Sequence, residues 1–245
     1  MSTVTSDAEK GTRHHHDYTS GSPTHTATAV PAVAGTGTAA AAAAANRQFA
    51  NPGPLGLCAF ALTTFVLSLI NLQTRSVTIP NIVIGLAFFY GGLVQLLAGI
   101  GEFFVGNTFG ATALSSYGGF WLSYAAILVP SFNSAAPYTA NGGSATEFKT
   151  AVSFFLFGWF IFTFLMLVAV LRHSIAFIFL FTTLDMAFLM LALGEYLAKE
   201  ALIKAGGVFG LLAAFAAWYC AMAQMLNRDN SFFTIPTVSL QKKAI

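Results

Sequence analysis

The chain has 245 residues, 56% of them hydrophobic and 8% charged, against about 25% charged in an ordinary soluble domain. Of its 20 charges, six lie in residues 1–50 and four in 227–245, leaving ten for the 176 residues between, which also hold 22 of the 25 phenylalanines. No water-soluble surface can be assembled from that middle, which excludes a soluble enzyme. A net charge of only +2 gives no ground for a nucleic-acid partner.

Residues 1–46 are rich in Ser, Thr, Gly, Pro and Ala, with an alanine run at 39–45 and Tyr18 as the one aromatic. Such a segment cannot bury enough apolar surface to offset its ordering entropy, so a disordered tail is expected. His14-His15-His16 reads as tail composition rather than a metal site, and no cofactor or metal is expected. No cleavable leader is expected either. Cys58 and Cys220 both lie in apolar runs and read as small buried hydrophobes.

From residue 48 the charges serve as landmarks. Charge-free stretches run 48–74, 76–101, 103–146, 150–171 and 205–227, and 173–198 holds only Asp185 and Glu195. A spanning helix needs about 20 predominantly apolar residues. The stretch 103–146 is too long for one, and its ends at 106–110 and 131–146 are turn-like. The pattern predicts six transmembrane helices, at about 53–73, 80–102, 112–130, 150–171, 174–197 and 205–226, with the longest loop at about 132–149. The fold class is therefore all-α, a polytopic membrane protein with a tail at 1–46, a six-helix domain at 47–226 and a second tail at 227–245. An even helix count puts both termini on one side. Charge does not say which side: Arg47, Arg172, Arg228, Lys242 and Lys243 balance Arg75, Lys149, Lys199 and Lys204.

The run Asn51-Pro52-Gly53-Pro54-Leu55-Gly56-Leu57 opens the first helix. Asn51 suits the N-cap and Pro52 the first helical position. The glycines leave N–H groups unscreened, so the positive helix end can face a small anion, with a plain capped helix as the alternative. In the second helix, steps of three and four after Tyr90 put Gly91/Gly92, Gln95, Ala98/Gly99 and Glu102 on one face. That face is either a polar pathway or a small-residue packing seam in which Gln95 bonds to a neighbour. Thr63, Thr64 and Asn71 add donors on the first helix, with back-bonding to the helix as the ordinary alternative. Tyr117 offers a hydroxyl for a carboxylate, or an interface anchor. A charged Asp185 near the middle of the fifth helix would cost about 2.5–3.5 kcal/mol on insertion scales. It must be protonated, paired or facing water, and it is the candidate proton relay. Glu102 and Glu195, at helix ends, are expected at the interface.

Together, four ordered motifs resemble the acetate uptake transporter family, which includes bacterial succinate–acetate permeases and fungal acetate transporters linked to ammonia export. They are Asn51 to Leu57; Phe89-Tyr90-Gly91-Gly92-x-x-Gln95-x-x-Ala98-Gly99; Gly106-Asn107-Thr108-Phe109-Gly110; and Ser116-Tyr117-Gly118-x-Phe120-Trp121. The resemblance covers about residues 47–226. It implies a six-helix protomer assembled as a homo-hexamer in the plasma membrane, with cytoplasmic termini and one substrate path per protomer. It also implies acetate as the main substrate, with other short monocarboxylates or succinate beside it. The family's hydrophobic constrictions fall here on Phe60, Tyr117 and Leu184. Asp185 is outside the family pattern.

The expected function is a transporter or channel for acetate and similar carboxylates, with proton-coupled uptake. Acetate is a methyl plus a carboxylate, so its path should alternate apolar gates with hydrogen-bond donors. The gates would be Phe60, Tyr117 and Leu184. The donors would be Asn51, Thr63, Thr64, Gln95 and the Tyr117 hydroxyl, with Pro52, Leu55 and Tyr90 in the walls. The partners are the carboxylate, protons and the lipid bilayer. The rival is an acetate- or ammonium-responsive membrane sensor without flux. An enzyme would need a metal cluster or a nucleophile–base pair, and the core's single histidine, His173, sits beside Arg172 in a short loop.

Overall fold

The computed structural model describes residues 49–140 and 144–240. The expected disordered tail, His14 to His16, Arg47, Lys242 and Lys243 lie outside the described residues. Six long helices follow in order: α1 (Gly53–Asn71), α2 (Pro80–Phe104), α3 (Thr108–Leu128), α4 (Ala145–Val170), α5 (Ile175–Tyr196) and α6 (Glu200–Met225). All but α3 are long and apolar enough to cross a membrane. This is five where the sequence pattern predicts six. α3 has the length, 21 residues, but three Ser, two Thr and three Gly lower its hydropathy. Of those small residues Gly110 and Gly118 are buried, whereas Thr108, Thr112 and Ser123 are exposed.

Three helices begin earlier than the charge landmarks predict. α3 starts at Thr108 because the Asn107 side chain accepts from Gly110 N at 3.0 Å, a capping bond worth about 1 kcal/mol. α4 starts at Ala145, capped by Ser144, and takes Glu147 and Lys149 into its first turns. α6 starts at Glu200, which pairs with Lys204 one turn on. Charges near a helix end can sit beside headgroup water, so an apolar run marks the membrane core and not the helix limits.

α5 packs most extensively on α6 and α4, α6 on α1, and α2 on α3. The α2–α3 seam depends on missing side chains: a Cβ at Gly118 would lie 2.8 Å from Leu96 N, and one at Gly99 would overlap Ser115. α4 is the least buried helix and contributes the stripe Leu156, Thr163 and Val170, at heptad spacing.

Midway, α2 widens into a π turn, Phe89–Val94, immediately before Gln95. Such turns insert a residue into the helical ladder and occur often at functional sites. A Cβ at Gly92 would collide with the Ala87 carbonyl, so glycine is what permits the turn. The sequence pattern, read at a uniform helical period, misses it.

After α6 the chain folds back, although the sequence reads as a tail from 227. Ile175 N donates to Val238 O at 3.2 Å and Leu240 N to His173 O at 3.0 Å. The Tyr219 hydroxyl donates to the Pro236 carbonyl.

Candidate functional site

A cavity of about 290 Å³ opens among the ends of α1, α2, α3, α5 and α6, near the lower bound of the roughly 300–1,000 Å³ usual for ligand pockets. Its rim is polar, with Asn107, His173, Gln224 and Thr237, all wholly or partly exposed. Its inner wall carries Phe60, Gln95, Tyr117 and Leu184. Phe60 and Leu184 also line a second cavity of about 40 Å³, so these two side chains divide the pair. The second cavity holds Thr64, Ser68 and Asn71 against Gly206 and Gly210.

The depth of the divide follows from helix geometry. Phe60, Tyr117 and Leu184 lie seven, nine and nine residues into α1, α3 and α5. At 1.5 Å per residue that is about 10–14 Å from helix starts gathered around the same rim. The Tyr117 ring centroid is 6.0 Å from Phe60 and 6.3 Å from Phe181. Its hydroxyl donates to Thr163 Oγ1 on α4 at 3.0 Å. Tyr117 is thus a wall ring held from behind, and its proton is already committed where the sequence reading offered it to a carboxylate. Thr163, the residue that holds it, escapes sequence reasoning; its one signal is a lone hydroxyl in the run Phe160 to Phe164.

The helix start at Asn51 differs from expectation. Pro52 stands at the N-cap, one residue later than the sequence reading places the cap. Asn51 Oδ1 still accepts from Gly53 N at 3.0 Å, and its Nδ2 donates to Gln224 Oε1 at 3.1 Å. Pro54 has no N–H, and Gly56 N bonds to Pro52 O at 3.2 Å. The unscreened donors that would attract an anion are therefore mostly used internally. Asn51 becomes a rim clamp between α1 and α6.

Of the other candidate residues, Gln95 alone reaches the large cavity. It is fully buried, and neither Nε2 nor Oε1 has a protein partner. Thr63 is back-bonded to Ala59 O at 2.9 Å and packs against Gly91, outside both cavities, which removes it as a free donor. Thr64 lines the small cavity with its hydroxyl buried and unpartnered. Pro52 packs towards Gly101, Tyr90 is half-buried, and Leu55 is 50% exposed; none of the three lines a cavity. Asp185 is buried with Oδ1 unpartnered, yet it too lies outside both linings, next to Leu184, which is in both.

Glu102, expected at the interface, is 2% exposed and part of the cavity wall. A Cβ at Gly53 would lie 3.1 Å from Glu102 Oε1 and 2.7 Å from Gln224 Oε1, and one at Gly110 would lie 2.9 Å from Glu102 Oε2. Two glycines therefore make the space in which this carboxyl meets the rim. Glu195, by contrast, is half-buried.

Comparison with known proteins identifies relatives of this chain. A family profile described as the GPR1/FUN34/yaaH family matches residues 33–242. The chain is 59% identical to acetate permease A of Emericella nidulans over 197 residues, covering 78% of this chain and 66% of that protein. It therefore spans about two thirds of that relative's length. It is 34% identical to the succinate-acetate/proton symporter SatP of Escherichia coli K12, covering 78% of this chain and 96% of the symporter. A solved structure of the bacterial acetate channel SatP superposes with a TM-score of 0.66 at 34% identity, covering 77% of this chain and all of that one. The relatives named here are a permease, a symporter and a channel, none of them an enzyme. With the matched profile spanning most of its length, this membrane chain belongs to the GPR1/FUN34/yaaH family.

Proposed function

We propose that the chain carries acetate and similar short carboxylates across the plasma membrane with a proton. It does so through the two cavities and the Phe60–Tyr117–Leu184 constriction between them. The observation that carries this is the order of surfaces along one line: polar rim, a buried amide at Gln95, an aromatic and aliphatic divide, then hydroxyl and amide groups at Thr64, Ser68 and Asn71. A molecule with one methyl and one carboxyl group meets a partner for each in turn. Six crossings complete the reading, with α3 shielded among its neighbours and both termini on the cytoplasmic side. The Asn51–Gln224 bond supports placing both termini at one end by joining the start of α1 to the end of α6, and the cytoplasmic side rests on the family resemblance. Assembly as a homo-hexamer rests on the family resemblance.

The test is uptake of radiolabelled acetate by the purified chain in liposomes, with and without an acid-outside pH gradient. Protein-dependent uptake that the gradient accelerates is expected. Acetate binding without uptake would favour the sensor reading.

A further inference from the structure

The unused hydrogen-bonding capacity of Gln95 says something about the form in which the substrate passes. A buried polar group without a partner is costly, and natural interiors rarely leave one. Gln95 has two such atoms, one donor and one acceptor, on a fully buried side chain that lines the large cavity. Which way the amide is turned does not matter, because both ends are unpartnered.

An ionised carboxylate is an acceptor only. It could take a bond from Nε2, but its negative charge would then face the Oε1 carbonyl, which it cannot satisfy. A protonated carboxylic acid carries one acceptor, its C=O, and one donor, its O–H. Once the side chain turns from its fully buried position in the wall into the cavity, such an acid can close a ring with the amide through two parallel hydrogen bonds, meeting both needs of Gln95 together.

The surroundings weigh the same way. Among the described residues no Lys or Arg lines the cavity. The titratable groups that line the cavity with Gln95 are Glu102 on α2 itself, Tyr117 on α3 and His173 in the α4–α5 turn. Cys58 on α1, Tyr90 on α2, Tyr124 on α3, Asp185 and Glu195 on α5 and Cys220 on α6 lie outside its lining, and Lys204 sits in the first turns of α6, at the opposite end of that helix from the rim residue Gln224. Glu102 would repel an anion, and the exposed His173 is at the outer rim. Gln95 lies seven residues along α2 from Glu102, about 10 Å. Beyond it stand Phe60 and Leu184, which offer a charge nothing. A buried charge without a partner is the arrangement proteins avoid.

We infer that Gln95 is a selectivity residue that passes the substrate as the neutral carboxylic acid, so that the coupled proton travels on the substrate itself. This rests on the transport reading above, and it removes the need for a protein-borne relay. The proton joins the carboxylate on one side of the membrane and leaves it on the other, and the crossing species has no net charge.

The experiment uses the full chain in liposomes, with protein-free liposomes subtracted. At fixed total acetate, the protein-dependent rate should fall about 100-fold between about pH 5.5 and about pH 7.5, tracking the protonated fraction at about tenfold per unit above an ordinary carboxyl pKa of about 4–5. An imposed membrane potential should leave it unchanged. Acetamide, neutral with one donor face and one acceptor, should compete, whereas trifluoroacetate, ionised throughout this range, should not. Gln95→Leu should lower the protein-dependent rate at least about tenfold and abolish competition by acetamide. A rate that follows total anion, responds to the potential and is inhibited by trifluoroacetate would overturn the inference while leaving transport standing. No protein-dependent flux from the unaltered chain would overturn both. Should Gln95→Leu fail to fold, the potential and competition measurements on the unaltered chain still decide.

Discussion

The two sides of the Phe60–Leu184 divide are built differently. On the rim side, around the cavity of about 290 Å³, chain segments are tied by hydrogen bonds: Asn51 joins the start of α1 to Gln224 near the end of α6, and the returning C-terminal segment bonds to the α4–α5 turn. On the far side, about 40 Å³ remains, room for only a few waters when about 10–15 Å³ is needed for one. There α6 lies directly on α1. A Cβ at Gly207 would be 2.9 Å from Ser68 O, and one at Gly210 would overlap Ser68 Oγ. The rim side is thus tied by hydrogen bonds between chain segments, and the far side is closed by the approach of α6 to α1 at glycines. On the proposed path the far side is the tighter half, with about 40 Å³ against about 290 Å³ on the rim side.

The strongest way to break the contrast is to remove the divide. Phe60 is buried and lines both cavities, so Phe60→Ala should merge them and cost about 3 kcal/mol of stability. Thermal unfolding in detergent checks the cost. Relative uptake of acetate and bulkier acids checks the merger, and the bulkier acids should gain. Filling the far side comes next. Gly210→Val should cut uptake about 100-fold, the equivalent of the roughly 3 kcal/mol that overpacking can cost, with the protein still at the membrane. Undiminished uptake would take the small cavity off the path.

Two smaller perturbations test the rim side. Gly92→Ala places a Cβ against the Ala87 carbonyl. It should regularise the π turn, rotate Gln95 from the cavity and lower uptake about tenfold, for a rearrangement of about 1.4 kcal/mol. Asn51→Ala loses the cap on Gly53 and the tie to Gln224. It should cost about 1 kcal/mol in thermal unfolding, with a severalfold loss of uptake.

What was legible in the sequence follows the length scale of each signal. The helices were legible because hydropathy sums over about 20 residues. The site at the Gln95 level was legible because an amide is rare in an apolar run and its spacing from small residues is helical. Thr63 and Leu55 were not separable from Thr64 and Phe60 by sequence. Neighbours on a helix differ by about 100° in direction, and only the packed partner decides which one reaches a cavity. The enclosure of Glu102 is hidden from the sequence for a related reason. Its position at the end of α2 is interfacial by count, but Gly53 and Gly110 on two other helices bring backbone over it. The π turn and the α1–α6 closure depend on contacts between atoms far apart in the chain, and no local pattern encodes them.

The smallest effect is expected at the residue that drew most notice in the sequence. Asp185 is a buried acid with Oδ1 unpartnered, and from the sequence it is the candidate proton relay. It lines neither cavity, however, whereas Leu184 beside it lines both. A relay must exchange its proton with the path on each cycle, and Asp185 is in neither cavity lining. If the substrate carries its own proton, Asp185→Asn, which keeps shape and removes the titrating group, should leave the rate within about twofold, since neutral replacements of similar volume cost little. Its pH profile should coincide with that of the unaltered chain across the range used for acetate. A displaced profile, or uptake no longer accelerated by the pH gradient, would return the proton to Asp185 and separate its route from that of the acid.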